Sequence, residues 1–387
     1  MKPLTAICLI GLSAAISFQI SSPLLSIYAK EYLNATIPEI GVIVSAFFLA
    51  SAFSKLPIGI FIRSKATSLV LIVGLFLIFI MPLFYVNLSS PYLLALSRAV
   101  HGLGSTMYVT SALTLTALIV NPKSRDSALA KYTAFVSIGL AIGPTVGSFL
   151  VMMLGVKGTI AFSIIPALFA FLLSINFLKN PLVYKIDVND DHKLSHKAFI
   201  KVLSNKTFNV AFFSYFAFSF IYGLILAYAP IYVKESFGLE DRELTLLFFE
   251  YFTFTALARV LLSRTIDILG KDKLLLIGLI NSALAVLAIG LIKFRWAFIT
   301  AFGLLGMSHG IVYPTAAMIV AKAVNPEELF LTNSLYLSAF DIGGGIGPIA
   351  IAPLATMLGI PIALAVSSLL PISAIMILIN YEKFLKS

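Results

Sequence analysis

Five charged residues lie inside long apolar stretches of this 387-residue chain, namely Lys55, Arg98, Glu250, Arg259 and Asp341. A charge at the centre of a bilayer costs about 2.5 to 3.5 kcal/mol, so each side chain is expected to face protein or a water-filled cavity. Glu250 and Asp341 are the acidic members of the set. Loss of water favours the protonated carboxylic acid, whereas entry of water or of a cation favours the carboxylate. Either residue is therefore a candidate for reversible proton binding.

Both acidic residues also have a structural interpretation. Asp341 could pair with Arg259 or Lys55, or bond to the backbone at the bend Gly343–Gly345. Glu250 could likewise serve only to hold neighbouring helices together. The sequence leaves these alternatives open.

Three polar residues share one face of a predicted helix. Arg98, His101 and Ser105 are spaced by three and seven residues, which places them on the same side of an α-helix. His309 lies in the middle of another apolar stretch, and the charge of an imidazole changes near neutral pH. The structural alternatives are an Arg98 that ties helices together and a neutral, hydrogen-bonded His309.

The composition predicts a polytopic membrane protein. Hydrophobic residues make up 60% of the chain, charged residues 11%, and the mean hydropathy is +1.02. A bilayer about 30 Å thick needs roughly 20 apolar residues per helical span. Twelve such spans are predicted, at 4–28, 38–62, 68–88, 91–120, 128–154, 158–178, 207–233, 242–263, 273–293, 296–321, 330–356 and 360–380.

The net charge of +10 is distributed in a way that predicts orientation and argues against nucleic-acid binding. Of 27 Lys and Arg residues, 18 fall on the side of the N-terminus and six on the opposite side. The positive-inside rule then places both termini in the cytoplasm. A cleavable signal peptide is the alternative for the start of the chain, but the apolar run continues to Tyr28, beyond the usual length. We expect a multi-pass protein of the plasma membrane.

The chain repeats itself at an offset of 204 residues. Ile27–Glu31 returns as Ile231–Glu235, and Ile142–Pro144 returns as Ile346–Pro348. We therefore predict an N-terminal bundle of six helices at 1–178, a cytoplasmic linker at 179–206 and a C-terminal bundle at 207–387. Within the linker, residues 194–203 alternate apolar side chains with lysines, which suits either a short amphipathic helix or a solvated segment.

Three motifs resemble those of the major facilitator superfamily. Arg98–Gly104 resembles the family's Arg-x-x-x-Gly-x-Gly signature of the fourth helix, and Gly139–Ser148 its Gly-x-x-x-Gly-Pro-x-x-Gly-Gly signature of the fifth. Ser263–Lys271 is similar to the family's cytoplasmic loop, although the first-half copy of that loop has Ile62 where the family has aspartate. These motifs lie on the expected helices in the expected order.

The resemblance implies an all-α membrane protein of the major facilitator fold, with twelve transmembrane helices in two pseudo-symmetric six-helix bundles. It makes Arg98 the motif arginine associated with proton coupling, beside the cavity candidates His101, Glu250, His309 and Asp341. It makes Gly139, Gly143, Pro144 and Gly147 the helix-packing motif that is characteristic of exporters and antiporters. It makes Asp267, Gly270 and Lys271 part of a cytoplasmic gating loop.

These features predict a secondary transporter of the drug- or sugar-efflux kind. It would export a small organic solute (drug-, sugar- or metabolite-like) by proton antiport and alternating access. Uptake by symport or uniport, and a membrane receptor without transport, are the alternatives. The many aromatic residues at 212–222 and 248–254 suit an aromatic-lined cavity, or simply a core or lipid-facing surface.

An enzyme is not expected, because Cys8, His101 and His309 form no recognised catalytic arrangement. The sequence shows no nucleotide-binding loop and no paired metal-ligand motif. No cofactor or metal is therefore predicted. The expected partners are a small-molecule substrate, protons and the lipid bilayer, for a monomeric protein that does not bind nucleic acid.

Overall fold

The computed structural model describes residues 2–62, 67–178, 196–322 and 329–386. Within these ranges the regular structure is entirely helical, which confirms the predicted all-α class. The helices are α1 Pro3–Ser21, α2 Leu25–Leu33, α3 Ile37–Ile62, α4 Thr67–Tyr85, α5 Pro91–Leu118, α6 Arg125–Phe162, α7 Ile164–Leu178, α8 His196–Leu203, α9 Lys206–Phe237, α10 Asp241–Leu269, α11 Lys271–Leu291, α12 Arg295–Lys322, α13 Leu329–Leu358, α14 Ile360–Ser367 and α15 Leu369–Lys386.

Ten stretches of the described residues are long and apolar enough to cross a membrane. One of them, Pro122–Phe177, covers two predicted spans, and the chain breaks its helix between them at Gly155. The 28-residue helix α5 is not among the ten, because Arg98, His101 and its hydroxyl residues lower its hydropathy. Dividing the long stretch at Gly155 and adding α5 gives twelve spans in the described part of the chain.

The helices form two compact units. The first comprises the described residues of Met1–Ala35, Ala46–His192 and Leu239–Phe249, and the second those of Thr36–Ser45, Lys193–Gly238 and Glu250–Ser387. These boundaries differ from the predicted halves, because each unit includes the start of one helix from the opposite half. The two exchanged segments are equivalent under the 204-residue offset. The first part of the predicted linker, 179–195, lies outside the described residues, and its end forms α8.

Turns at equivalent positions show that the sequence repeat is also a structural repeat. Helices α2 and α9 both end on a residue in the left-handed region, Asn34 (φ 51°) and Gly238 (φ 62°). The next helix in each half begins with the same cap, in which Glu39 Oε2 accepts from the Thr36 N–H at 2.8 Å and Glu243 Oε2 from the Glu240 N–H at 3.0 Å. Equivalent residues therefore form equivalent turns in the two halves.

Two glycines end equivalent helices later in each half. Gly155 (φ 65°) interrupts α6, and Gly359 (φ 85°), 204 residues later, separates α13 from α14. A side chain is strained at such φ values, so glycine is the residue that allows the chain to turn there. The predicted boundary between the fifth and sixth spans, at 154–158, is confirmed by this break.

Helix pairs within each unit approach so closely that a side chain would not fit between them. A methyl group added at Gly102 would collide with the carbonyl oxygen of Phe47, and one at Gly306 with that of Tyr251. The two glycines are 204 residues apart, and so are their two partners. The same contact therefore holds α5 against α3 in the first unit and α12 against α10 in the second.

The predicted helix-packing motif lies along the contact between α6 and α1. A Cβ at Gly139 would be 2.5 Å from the Leu12 carbonyl oxygen, and one at Gly143 would be 2.5 Å from Gln19 Cβ. At Gly147 the nearest atom, the Ile20 carbonyl oxygen, is 3.4 Å away, which is ordinary van der Waals contact. Pro144 is buried in the same helix, which continues through it to Gly155. The helices therefore fit tightly at the first two glycines and more loosely at the third.

We predict that Gly143→Ala destabilises the protein strongly and that Gly147→Ala does not. The added methyl group must displace α6 from α1 at Gly143, and such overpacking costs about 1 to 3 kcal/mol. The melting temperature of detergent-solubilised protein measures the effect, with Gly147→Ala as the matched control. Equal melting temperatures for the two variants would contradict the packing described here.

Candidate functional site

A cluster of buried polar and aromatic side chains surrounds Arg98 in the first unit. The arginine is 3% exposed, and its guanidinium carbon lies 4.4 Å from the ring centroid of Phe47. The charge of Arg98 also acts on Tyr85, whose hydroxyl lies 2.5 Å from Nδ1 of His101. The structure thus brings together the sequence-predicted pair Arg98 and His101, one turn apart on α5.

His101 shares a hydrogen bond with Tyr85 and is buried beside Arg98. Its Nδ1 lies 2.5 Å from the Tyr85 hydroxyl, and the residue is 3% exposed. Burying a second positive charge beside a guanidinium would be costly. The neutral imidazole is therefore favoured, which leaves Arg98 as the charged member of the cluster.

A related cluster surrounds His309 in the second unit. Nδ1 of His309 lies 3.2 Å from the hydroxyl of Tyr251, and the imidazole is packed against Phe218, Tyr222 and Phe340 with ring centroids 5.1 to 5.9 Å apart. His309 is 9% exposed. The histidine is therefore held by a hydrogen bond and by rings, as in the first unit.

The aromatic residues at the two histidines are related by the repeat. Phe18 and Phe47 contact His101, and their equivalents 204 residues later, Tyr222 and Tyr251, contact His309. His309 itself corresponds to Ser105, one helical turn from His101. In each half, one histidine therefore packs against rings from the first two transmembrane helices. The histidine of the second half lies one helical turn further along its helix than the histidine of the first half.

Arg259 points into the second unit, toward the ring of Tyr313. Its guanidinium carbon is 5.7 Å from that ring centroid, and its charge also acts on Tyr215 and His309. An arginine near the end of a membrane helix often extends its charged group to the membrane surface. Here the side chain instead joins the buried aromatic cluster.

Stacked tyrosines complete the second-unit cluster. Tyr215 lies 5.0 Å from Tyr336 and 5.4 Å from Tyr313, measured between ring centroids. The Tyr336 hydroxyl donates to the Tyr313 carbonyl oxygen at 2.7 Å. The sequence analysis singled out the aromatic residues of α9 and α10 but missed Tyr313, Tyr336 and Tyr85. Tyr313 has one local signal, because it follows His309 by one helical turn. Tyr336 and Tyr85 lie on other helices than the histidines they accompany, so no local pattern indicates them.

The two predicted acidic residues lie in different surroundings. Asp341 is 6% exposed and its charge acts on Tyr215, as does that of Arg259. Glu250 is half-buried, and its Oε1 lies 2.9 Å from the position of a Cβ on Gly303. Among the described residues, Glu250 has no hydrogen bond or ion pair. Of these two acidic residues, Glu250 is therefore the one that the described part of the fold leaves without a polar partner.

Comparison with known proteins identifies the fold and the family. The family model "Major Facilitator Superfamily" matches residues 7–240 and 211–384, which together span almost the whole chain. The chain belongs to the major facilitator superfamily. It is a multi-pass membrane transporter of the secondary type, which binds a small-molecule substrate, and the family consists of transporters rather than enzymes.

Individual relatives of this major facilitator transporter are distant. An uncharacterized MFS-type transporter of Methanocaldococcus jannaschii is 23% identical over 350 residues, covering 88% of this chain and 87% of the relative. The crystal structure of the nucleoside transporter NupG, as a D323A mutant, superposes with a TM-score of 0.81 at 11% identity, covering 98% of this chain and 99% of that one. A bacterial homologue of the human lysosomal transporter Spinster gives 0.76 at 15% identity, covering 98% and 96%. These structures confirm the predicted fold.

The family's cytoplasmic-loop motif occupies the turn between α10 and α11. Asp267 is exposed near the end of α10, Gly270 takes a left-handed φ of 75°, and Lys271 begins α11. The motif glycine therefore provides the left-handed backbone conformation that this turn requires. In the first-half copy, Arg63, Ser64 and Lys65 lie outside the described residues.

We predict that Tyr85→Phe destabilises the transporter by about 1 to 3 kcal/mol, because it leaves Nδ1 of His101 buried without its hydrogen-bond partner. Tyr85 is fully buried, whereas Tyr92 in α5 is 68% exposed. Tyr92→Phe is therefore the control, and melting temperatures in detergent provide the measurement. If the two variants melt together, the Tyr85–His101 hydrogen bond does not contribute to stability.

Proposed function

We propose that this transporter exports a small organic solute in exchange for protons by alternating access, with Glu250 as the proton-binding residue. The observation that carries the proposal is the half-buried Glu250 carboxylate, which has no hydrogen bond or ion pair among the described residues. A carboxylate that is already paired in the fold would be held in its charged form. Glu250 has no such constraint.

The physical chemistry of this position suits a coupling site. Glu250 lies against the backbone of α12 at Gly303, where a larger side chain would push the carboxylate away. When the site loses water, the protonated acid is favoured, and when water or a cationic group enters, the carboxylate is favoured. A transport cycle that alternately wets and dries the site would therefore bind and release one proton per turn.

Asp341 is less suited to this role. It is almost fully buried, and it shares the neighbourhood of Tyr215 with the positive charge of Arg259. Charges of both signs therefore act in this part of the second unit, as is expected of residues that hold helices together. We therefore assign the coupling proton to Glu250 and a structural role to Asp341.

Export is supported by the motif in α6. The resemblance of Gly139–Ser148 to the signature of exporters and antiporters is the reason for this direction, and the tight contact of Gly139 and Gly143 with α1 gives the motif a physical role. The proposal includes cytoplasmic termini and a plasma-membrane location, as the charge distribution indicates.

The test uses proteoliposomes with an imposed pH gradient and a lumenal pH dye. Wild-type protein is challenged in turn with a cationic dye, a sugar, an amino acid and an organic acid. We expect one class to drive proton counterflow. Glu250→Gln, which resembles the protonated acid, should reduce this proton flux to that of empty liposomes while solute-for-solute exchange continues.

Glu243→Gln is the matched control, because Glu243 caps the start of the same helix and should not affect coupling. Proton and solute movement in the same direction would show symport, and solute flux without protons would show uniport. Binding of a solute without any flux would indicate a receptor. Unchanged proton counterflow in Glu250→Gln would contradict the assignment of the coupling residue.

A further inference from the structure

The guanidinium of Arg98 carries a buried positive charge that no described acidic residue balances. The side chain is 3% exposed, and its interactions in the described part of the chain are with Phe47, Tyr85 and His101. All three partners are formally neutral. Burying a charge is costly unless an opposite charge accompanies it, so this arrangement calls for a counter-ion from outside the chain.

The hydrogen-bonding capacity of Arg98 is also incomplete. A guanidinium has five N–H donors, and the Nε donor is buried without a hydrogen-bond partner. The ring of Phe47 covers one face of the group and attracts it, but a ring does not accept the Nε–H in the plane of the guanidinium. The edge that carries Nε is therefore both charged and unsatisfied.

We propose that Arg98 is the receptor for an anionic group of the transported solute, and that the substrate class is therefore organic anions. This inference rests on the proposed transport function and names its substrate. A carboxylate oriented toward the Nε edge would accept two parallel hydrogen bonds, from Nε–H and from one Nη–H, in the fork geometry that arginine offers. Such an anion supplies the missing charge and the missing acceptor together.

The surroundings of Arg98 indicate what the rest of the solute is like. Phe18 and Phe47 lie 5.3 Å apart between ring centroids, and both contact the neutral His101. Rings and a neutral imidazole favour a compact apolar or aromatic body over a heavily hydroxylated one. Small aromatic carboxylates meet both requirements.

The role inferred for Arg98 differs from that of a structural arginine in a testable way. A structural arginine stabilises the empty protein, so its neutral replacement lowers the melting temperature. An unbalanced receptor charge stabilises the protein only when the anion is bound. We therefore expect Arg98→Gln to melt no lower than the wild type when no ligand is present, although it loses the contact with Phe47.

Ligand binding is measured as the shift in melting temperature of detergent-solubilised full-length protein. The probes are acetate, phenylacetate and indole-3-acetate, each beside its primary amide, at constant ionic strength. We expect at least one carboxylate to stabilise the wild type while its amide does not. Arg98→Gln should bind that carboxylate on the order of 10- to 100-fold more weakly, and Arg98→Lys should fall between the two, because it keeps the charge without the fork.

Arg242→Gln is the control for a general loss of positive charge, since Arg242 is exposed in the first turn of α10. Sodium sulfate is included to separate an organic substrate from an inorganic ion. If sulfate stabilises the protein as well as the carboxylates do, Arg98 is a site for inorganic anions and the substrate class is wrong. If no carboxylate differs from its amide, or if ligand-free Arg98→Gln is clearly destabilised, Arg98 is a structural residue and the proposal fails.

These measurements contain no pH gradient, so they are independent of proton coupling. Carboxylate binding without proton counterflow would reject the antiport mechanism and leave the substrate class intact. Proton counterflow driven by a sugar or a cation, with no effect of carboxylates, would leave the mechanism intact and reject the substrate class.

Discussion

Close approach of helix backbones at glycine is the constraint on which the remainder of this structure depends. Gly102 faces the carbonyl oxygen of Phe47, and Gly306 faces that of Tyr251, with no space for a side chain between them. In a bilayer, helices gain little from burying apolar surface against each other, so packing of this kind decides which helices associate. Gly102 contacts the backbone of Phe47, and Gly306 contacts that of Tyr251. These two contacts therefore also fix the positions of the aromatic rings beside the histidines.

The two halves share the same backbone turns and helix contacts but differ in the side chains that face the interior. Asn34 and Gly238 end equivalent helices, and Gly155 and Gly359 make equivalent breaks. On the same framework, the first unit places an arginine and a neutral histidine next to phenylalanine rings, whereas the second places a histidine among stacked tyrosines. Backbone contacts tolerate few changes because any added atom displaces a whole helix. Side chains that face the interior can change one at a time, and the two halves have accordingly acquired different chemistry.

The two units differ in the surroundings of their charged side chains. Arg259 and Asp341 both act on Tyr215, so positive and negative groups share one neighbourhood in the second unit. Arg98 in the first unit has aromatic and neutral polar neighbours alone within the described residues, and Glu250 has no polar partner there. A protein gains nothing in stability from an unmatched buried charge. Groups of this kind are therefore the places where a ligand or a proton can complete the electrostatics of the fold, which is the basis of both proposals.

The amino-acid sequence by itself determined the helical membrane class, the two-fold repeat and the break near Gly155, because hydropathy and repetition are properties of single stretches of chain. It also brought Arg98 and His101 together, since a spacing of three residues fixes neighbours on a helix. Only the tertiary structure joined Tyr85 to His101 and Tyr336 to Tyr313, because these pairs come from different helices and no local pattern records which helices touch. It alone turned Arg259 toward Tyr313 rather than the membrane surface, and it alone left Glu250 without a polar partner among the described residues. The environment of a charge is decided by what the other helices place around it, and that information is spread over the whole chain.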